Sequence, residues 1–198
     1  MQHGPAAKPA RRPRADGERN RARLVTAAKR AMTELGATVS LEQVAREAGV
    51  SIATLYRHFP TRETLIEAVY RQETDSLVDA AAQLTEEREP IAALREWLLL
   101  FVDFLDTKQG LSEVLGTLIG GPDGLYSDSS VRLASAVDAL VSRATETGPL
   151  RADIEPLDLL RALGGVANVS PDKNWKRSAI RMVDLLLKGL QDDADIQT

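Results

Sequence analysis

The stretch from Ser40 to Phe59, S-L-E-Q-V-A-R-E-A-G-V-S-I-A-T-L-Y-R-H-F, constrains this chain more than any other. Ser40 can cap a helix, and Gln43, three residues on, can reach back to complete a capping box. Leu41, Val44, Ala45 and Ala48 then share one helical face. Gly49 follows at the position where a chain leaving a helix takes positive φ. Ser51 caps a second, short helix that buries Leu55 beside Val50. Phe59-Pro60 closes that helix, because proline disfavours α geometry in the residue before it. The expected product is a helix, a tight turn and a second helix.

The second helix needs little of its surface for a core, yet it carries Ile52, Ala53, Thr54, Tyr56, Arg57 and His58. A helix-turn-helix lays such a helix in the major groove of DNA, with its N-terminal residues toward base edges. Thr54 offers a hydroxyl and a methyl, and Ile52 an apolar contact for a thymine methyl, so these two are the base-reading candidates. Tyr56, His58 and Arg62 lie further along, better placed for phosphate oxygens. Ser40, Ser51, Ala53, Arg57 and Arg14 complete the candidate DNA-facing set. The plain alternative is a helical hairpin with Tyr56 and Phe59 in its core and its charges in water. The two caps, the turn glycine and the outward residues together favour DNA.

Charge is divided along the chain. Residues 1–72 hold 13 Lys and Arg against 7 Asp and Glu, a balance of +6, while the net charge of the whole is -4, leaving -10 for the remainder. A DNA-attracting end and a DNA-averse body are expected. Lys8, Arg11, Arg12 and Arg14 stand among Pro5, Pro9 and Pro13, so residues 1–15 read as a disordered basic arm, either solvated or usable in a minor groove. No apolar stretch follows it of the kind a secretory signal needs. The chain has no cysteine, which excludes disulfides, iron–sulfur clusters and thiol redox chemistry. Its two histidines, His3 and His58, do not have metal-ligand spacing, so neither a metal nor any other cofactor is expected. The apolar run Trp97–Val102 is far too short to span a bilayer, and a cytoplasmic protein without membrane contact is expected.

The rest reads as helix, giving an all-α fold. Asp16 can cap a first helix with Leu24, Ala27, Ala28, Ala31 and Leu35 inward and Gly36 at its end. A long helix is expected over 62–86, from Leu65, Ile66, Val69, Leu77 and Leu84. Pro90 opens an apolar helix over 91–106, and Leu111–Ile119 reads as a further short one. Gly120-Gly121-Pro122-Asp123-Gly124 is the clearest break. Helices over 129–147, 156–169 and 171–190 follow. The expected organisation is the arm, a DNA-binding unit over 16–61, a regulatory and dimerisation body over 62–191, and a disordered tail over 192–198.

From about Arg19 to Val69 the chain resembles the DNA-binding domain of the TetR family of transcriptional regulators. The likeness is carried by R-L-V-T-A-A in the first helix, Val39–Ser51, Thr54-Leu55-Tyr56-Arg57-His58-Phe59 and Pro60-Thr61-Arg62-Glu63-Thr64-Leu65. Ala53 stands where many members carry glycine, and Arg62 where lysine is frequent; both leave the operator sequence open. Leu159–Gly165 and the Met182–Leu190 helix resemble a C-terminal subgroup common in actinobacteria. The resemblance implies a homodimer on a double-stranded DNA operator, a helical C-terminal domain that binds a small-molecule effector, and repression relieved by that effector.

Gly164-Gly165 inside an apolar helix costs about 1 kcal/mol per glycine relative to alanine, which suggests close helix approach. Leu159, Leu160, Leu163 and Val166, with Ile180, Val183, Leu186, Leu187 and Leu190, could pair with their symmetry mates as a four-helix interface, the alternative being intramolecular core. The interface set is therefore Leu159, Leu163, Gly164, Val166, Val183, Leu186, Leu187 and Leu190. Candidate walls of an effector pocket are Trp97, Phe101, Phe104, Leu115, Leu118, Ile119, Tyr126 and Leu140, many of which would serve equally as core. Against an enzyme stands the lack of a nucleophile elbow, phosphate loop or His–carboxylate pairing. The alternative function is an architectural or cell-division regulator of the same fold without an inducer.

Overall fold

The computed structural model describes residues 13–35, 39–115, 123–148, 150–151, 155–169 and 174–191, without the side chains of 13–14, 112–115 and 123–125. Expectations for the arm before residue 13, the tail over 192–198, the Arg14 and Leu115 side chains, and Leu118 and Ile119 fall outside the described residues. Among those residues the fold is all α: α1 (Pro13–Leu35), α2 (Leu41–Glu47), α3 (Ile52–His58), α4 (Arg62–Glu87), α5 (Pro90–Leu115), α6 (Asp123–Thr147), α7 (Pro156–Val169) and α8 (Trp175–Gly189).

Several boundaries differ from those read in the sequence. α1 starts at Pro13, whose fixed φ suits a first helical position, and so Asp16 lies inside the helix and pairs with Arg19 instead of capping. Leu111 does not open a separate helix, because α5 continues through Gly110 to Leu115. α6 begins six residues earlier than the apolar repeat suggests, at Asp123. α8 starts only at Trp175, after an Asn174 that makes no side-chain cap bond.

Leu24, Ala28, Met32, Val44, Leu55, Leu65, Ile66 and Val69 close one core, which joins α1, α2 and α3 to the first turns of α4. The body continues from it without a break. α4 and α5 form a hairpin across the short Arg88-Glu89 link, and Trp97 pins them together by donating its indole N–H to the Leu77 carbonyl at 2.8 Å. Trp97 stacks on Phe101, and Phe101 on Phe104, with ring centres 5.9 and 6.0 Å apart. α7 and α8 pack against α5 and α6 through Leu159, Leu163, Val183 and Leu187. Ion pairs from Arg95 to Asp184 and from Lys176 to Asp103, both 2.7 Å, lie across the α5–α8 seam. Beyond α8 the chain is tied back by the Arg151 amide, which donates to the Leu190 carbonyl at 2.9 Å.

Candidate nucleic-acid interface

α3 is seven residues long, and Leu55 is its one buried side chain. So short a helix has little stability of its own; its place is set by its ends. Ser51 caps it by accepting from the Thr54 amide at 3.1 Å, and the Phe59 amide closes it on the Leu55 carbonyl at 2.8 Å. Before it, Gly49 adopts φ +65°, the one positive φ among the described residues. A Cβ there would stand 2.5 Å from the Arg23 guanidinium, which lies over the turn. Glycine is thus favoured at this turn by its conformation, while the long Arg23 side chain could swing aside.

Ser40 caps α2 as expected, accepting from the Gln43 amide at 3.1 Å. The return half of the expected capping box is absent, because the Gln43 side chain donates instead to Glu47 at 3.1 Å. The reciprocal box occurs one helix later, where Thr61 and Thr64 satisfy each other's amides at the start of α4. Glu63 in that first turn is held below the usual carboxylate range by its own backbone amide and then by the Thr61 hydroxyl. Glu47 is lowered likewise, first by Arg30, which donates to it at 2.8 Å and braces α1 against α2, and then by Gln43.

On this frame the sequence-derived DNA candidates fall together. Ser51, Ala53, Tyr56 and Arg57 are exposed, and Ile52, Thr54, His58 and Arg62 are half-buried. Phe59, by contrast, is sealed in the core at 2% exposure, while Tyr56 is 45% exposed, which separates the two aromatics that a simple hairpin would have buried together. Ile52 also packs against the core, so only part of its side chain is free for a base. The N-terminal part of α1 lies beside the end of α3: Arg21 stacks its guanidinium 5.0 Å over the Phe59 ring, and Gly17 approaches His58. Arg21 thus adds a cation to this side that local periodicity could not assign, since the contact spans from α1 to the end of α3.

The other two candidate sets divide differently. Leu159, Leu163, Val183 and Leu187 are at most 3% exposed inside the protomer. Within the protomer they form the seam between α7, α8 and the body. Val166, Leu186 and Leu190 are half-buried and packed on that core, while Val169 at 86% and Leu185 at 64% exposure point away from it. Of the pocket candidates, Trp97 and Leu140 are fully enclosed core residues. Phe101 and Phe104 retain only 6% and 5% exposure, and Tyr126 is half-buried. Among the described residues no group of His, Cys, Asp or Glu is arranged to hold a metal, and no helix is long and apolar enough to cross a membrane.

A family model described as bacterial regulatory proteins, TetR family, matches residues 24–69, the capped unit just described. A second, described as the C-terminal domain of SbtR-like transcriptional regulators, matches residues 89–192, more than half the chain. The chain belongs to the TetR family. It is therefore a DNA-binding transcriptional regulator rather than an enzyme. A TetR regulator from Streptomyces coelicolor is 40% identical, with 86% of this chain and 98% of that one covered at a TM-score of 0.77. A TetR regulator from Mycobacterium vanbaalenii is 28% identical, with 90% and 98% covered at a TM-score of 0.74. Among curated relatives, the HTH-type transcriptional regulator RutR of Escherichia coli O157:H7 is 32% identical over 61% of this chain and 58% of its own length. The chain spans little more than half the length of the curated relatives it matches.

Proposed function

We propose that this TetR regulator is a repressor that binds a palindromic operator as a homodimer and leaves it when a small molecule occupies the body. The observation that carries the reading is α3, a helix that buries only Leu55 fully and turns Ala53, Tyr56 and Arg57 outward. Thr54 and Ile52 in its first turn are the base readers; Tyr56, His58, Arg57 and Arg62 serve phosphates, with Ser40 and Ser51 at the two helix starts. A two-fold dimer would set two such helices about 34 to 36 Å apart, one turn of B-DNA.

Support for the dimer comes from the outer face of the last two helices. A Cβ built on Gly164 or Gly165 would meet no atom of the described residues within 4 Å, so no contact among them explains either glycine. Val169, Leu185 and Ile180 of the same helix pair are also exposed, apolar side chains of the kind a second copy can cover. Footprinting of the DNA flanking the protein's own gene tests the whole reading. Two protected half-sites related by a two-fold axis are expected, and protection of a single half-site would reject the dimeric mode.

A second reading has a specific observation in its favour. The nucleoid occlusion factor SlmA of Shewanella pealeana is 30% identical over 56% of this chain and 54% of its own length. A regulator of that kind would occupy many chromosomal sites and need no inducer. Genome-wide occupancy separates the two: one or a few promoter sites favour the repressor, dispersed sites the alternative.

A further inference from the structure

The buried side chains of the described residues are apolar almost throughout, the polar exceptions being Thr74, Thr107 and Ser129. Two of these meet. The Thr74 hydroxyl donates to the Tyr70 carbonyl at 3.1 Å and stands 3.5 Å from the Ser129 hydroxyl, and Tyr70 bonds Ser129 in turn. The Tyr70 ring lies 5.6 Å from both the Phe104 and the Tyr126 rings, so α4, α5 and α6 bring three aromatic rings and four hydroxyls to one place. Lys108 of α5 extends into this group, its ammonium 4.3 Å from the centre of the Tyr126 ring.

Lys108 differs from the other half-buried lysines. Lys29 holds Glu73 at 2.6 Å, and Lys176 holds Asp103 at 2.7 Å with Asp106 at 3.6 Å. Asp103 and Asp106 of its own helix are therefore engaged by another cation, and among the described residues no carboxylate pairs with Lys108 itself. A half-buried ammonium without a counter-charge is unfavourable. The ring beneath it compensates in part through a cation–π contact. Burial alone pushes the Lys108 ammonium below the usual lysine range. In a body that is otherwise strongly acidic, this is a cation held next to aromatic surface with no carboxylate partner among the described residues.

We propose that Lys108 with the Tyr70, Phe104 and Tyr126 rings seats the effector, and that the effector is a small ring-bearing carboxylic acid. Its carboxylate meets the Lys108 ammonium and its ring lies against the aromatic side chains. The Tyr70 and Ser129 hydroxyls, bonded to each other, border the same place. A single ammonium suits a monoanion; a phosphate would call for several donors, and no arginine joins this cluster among the described residues. The proposal rests on the effector-released reading above and names the ligand's chemical class.

The test is calorimetric titration of the full chain with benzoate, cyclohexanecarboxylate, benzamide and benzylamine at one ionic strength. Either carboxylate should bind at least about tenfold more tightly than benzamide, the factor one modest ionic contact supplies, and benzylamine should not bind. Lys108→Gln should abolish the preference, Lys108→Arg should keep it, and Lys188→Gln, an exposed lysine on α8, should leave it unchanged. Benzamide binding as well as benzoate, or a preference that survives Lys108→Gln, overturns the ligand class while leaving an effector-released regulator standing. Protein that still footprints its DNA but binds neither carboxylate at about 10 mM, a very weak affinity, overturns the inference and spares the DNA-binding reading.

Discussion

At the scale of single residues, Thr54 carries the sharpest expectation. Its backbone amide closes the Ser51 cap, and its hydroxyl lies 2.9 Å from the Ser51 hydroxyl. Thr54→Ala keeps the amide bond, so α3 stays capped while the side chain offered to a base is lost. Affinity for the cognate operator should fall by about 1 to 3 kcal/mol, with much less effect on random DNA and little change in melting temperature. Anisotropy on both DNAs at one salt concentration measures this, and equal weakening on the two would remove Thr54 from base reading. Gly49 and Gly164 represent two kinds of glycine legible in the sequence. The first stands at a turn and needs positive φ; the second sits in a helix with open space around it among the described residues.

At the scale of elements, α4 serves two masters. Its first turn belongs to the DNA-binding unit, capped by Thr61 and Thr64, and its later turns are body core. Arg62 in that turn is assigned to phosphate. Arg62→Ala should weaken specific and non-specific binding alike and make the slope of log K against log salt shallower by about one unit; an unchanged slope would make Arg62 a merely structural residue. α8 invites a paired test. Leu185 is exposed, so Leu185→Asp should leave a folded protomer of nearly wild-type melting temperature that scatters light as a monomer and binds its operator far more weakly. Leu187 is buried, so Leu187→Asp should cost on the order of 3 to 5 kcal/mol and compromise folding itself. A folded Leu185→Asp dimer with full operator affinity would refute the proposed interface.

At the scale of the whole molecule, legibility tracked how local the deciding physics was. The caps at Ser40 and Ser51, the Gly49 turn and the stop at Phe59-Pro60 each depend on neighbours within a few residues, and each was readable. Gln43 was misread because Glu47 competed for its amide, and Leu111 because a mid-helix glycine does not break a helix whose flanks are packed. The α7 and α8 leucines could not be apportioned at all from periodicity: a helix between its own core and a partner shows apolar residues on both sides, and only exposure separates Leu187 from Leu185. The ammonium over Tyr126 escaped for the same reason, since its partner lies on another helix.

The continuity of α4 has a mechanical corollary. Its 26 residues make a rod about 39 Å long at ~1.5 Å per residue, with Arg62 at one tip and the Trp97 anchor at Leu77 past its midpoint. Tilting such a rod by about 5° about its far end carries the tip through about 3 Å, close to the ~3.4 Å between successive nucleotides on one strand. A displacement of well under one bond length at a side chain near the pivot is therefore geometrically sufficient to slide the reading head by a full base step.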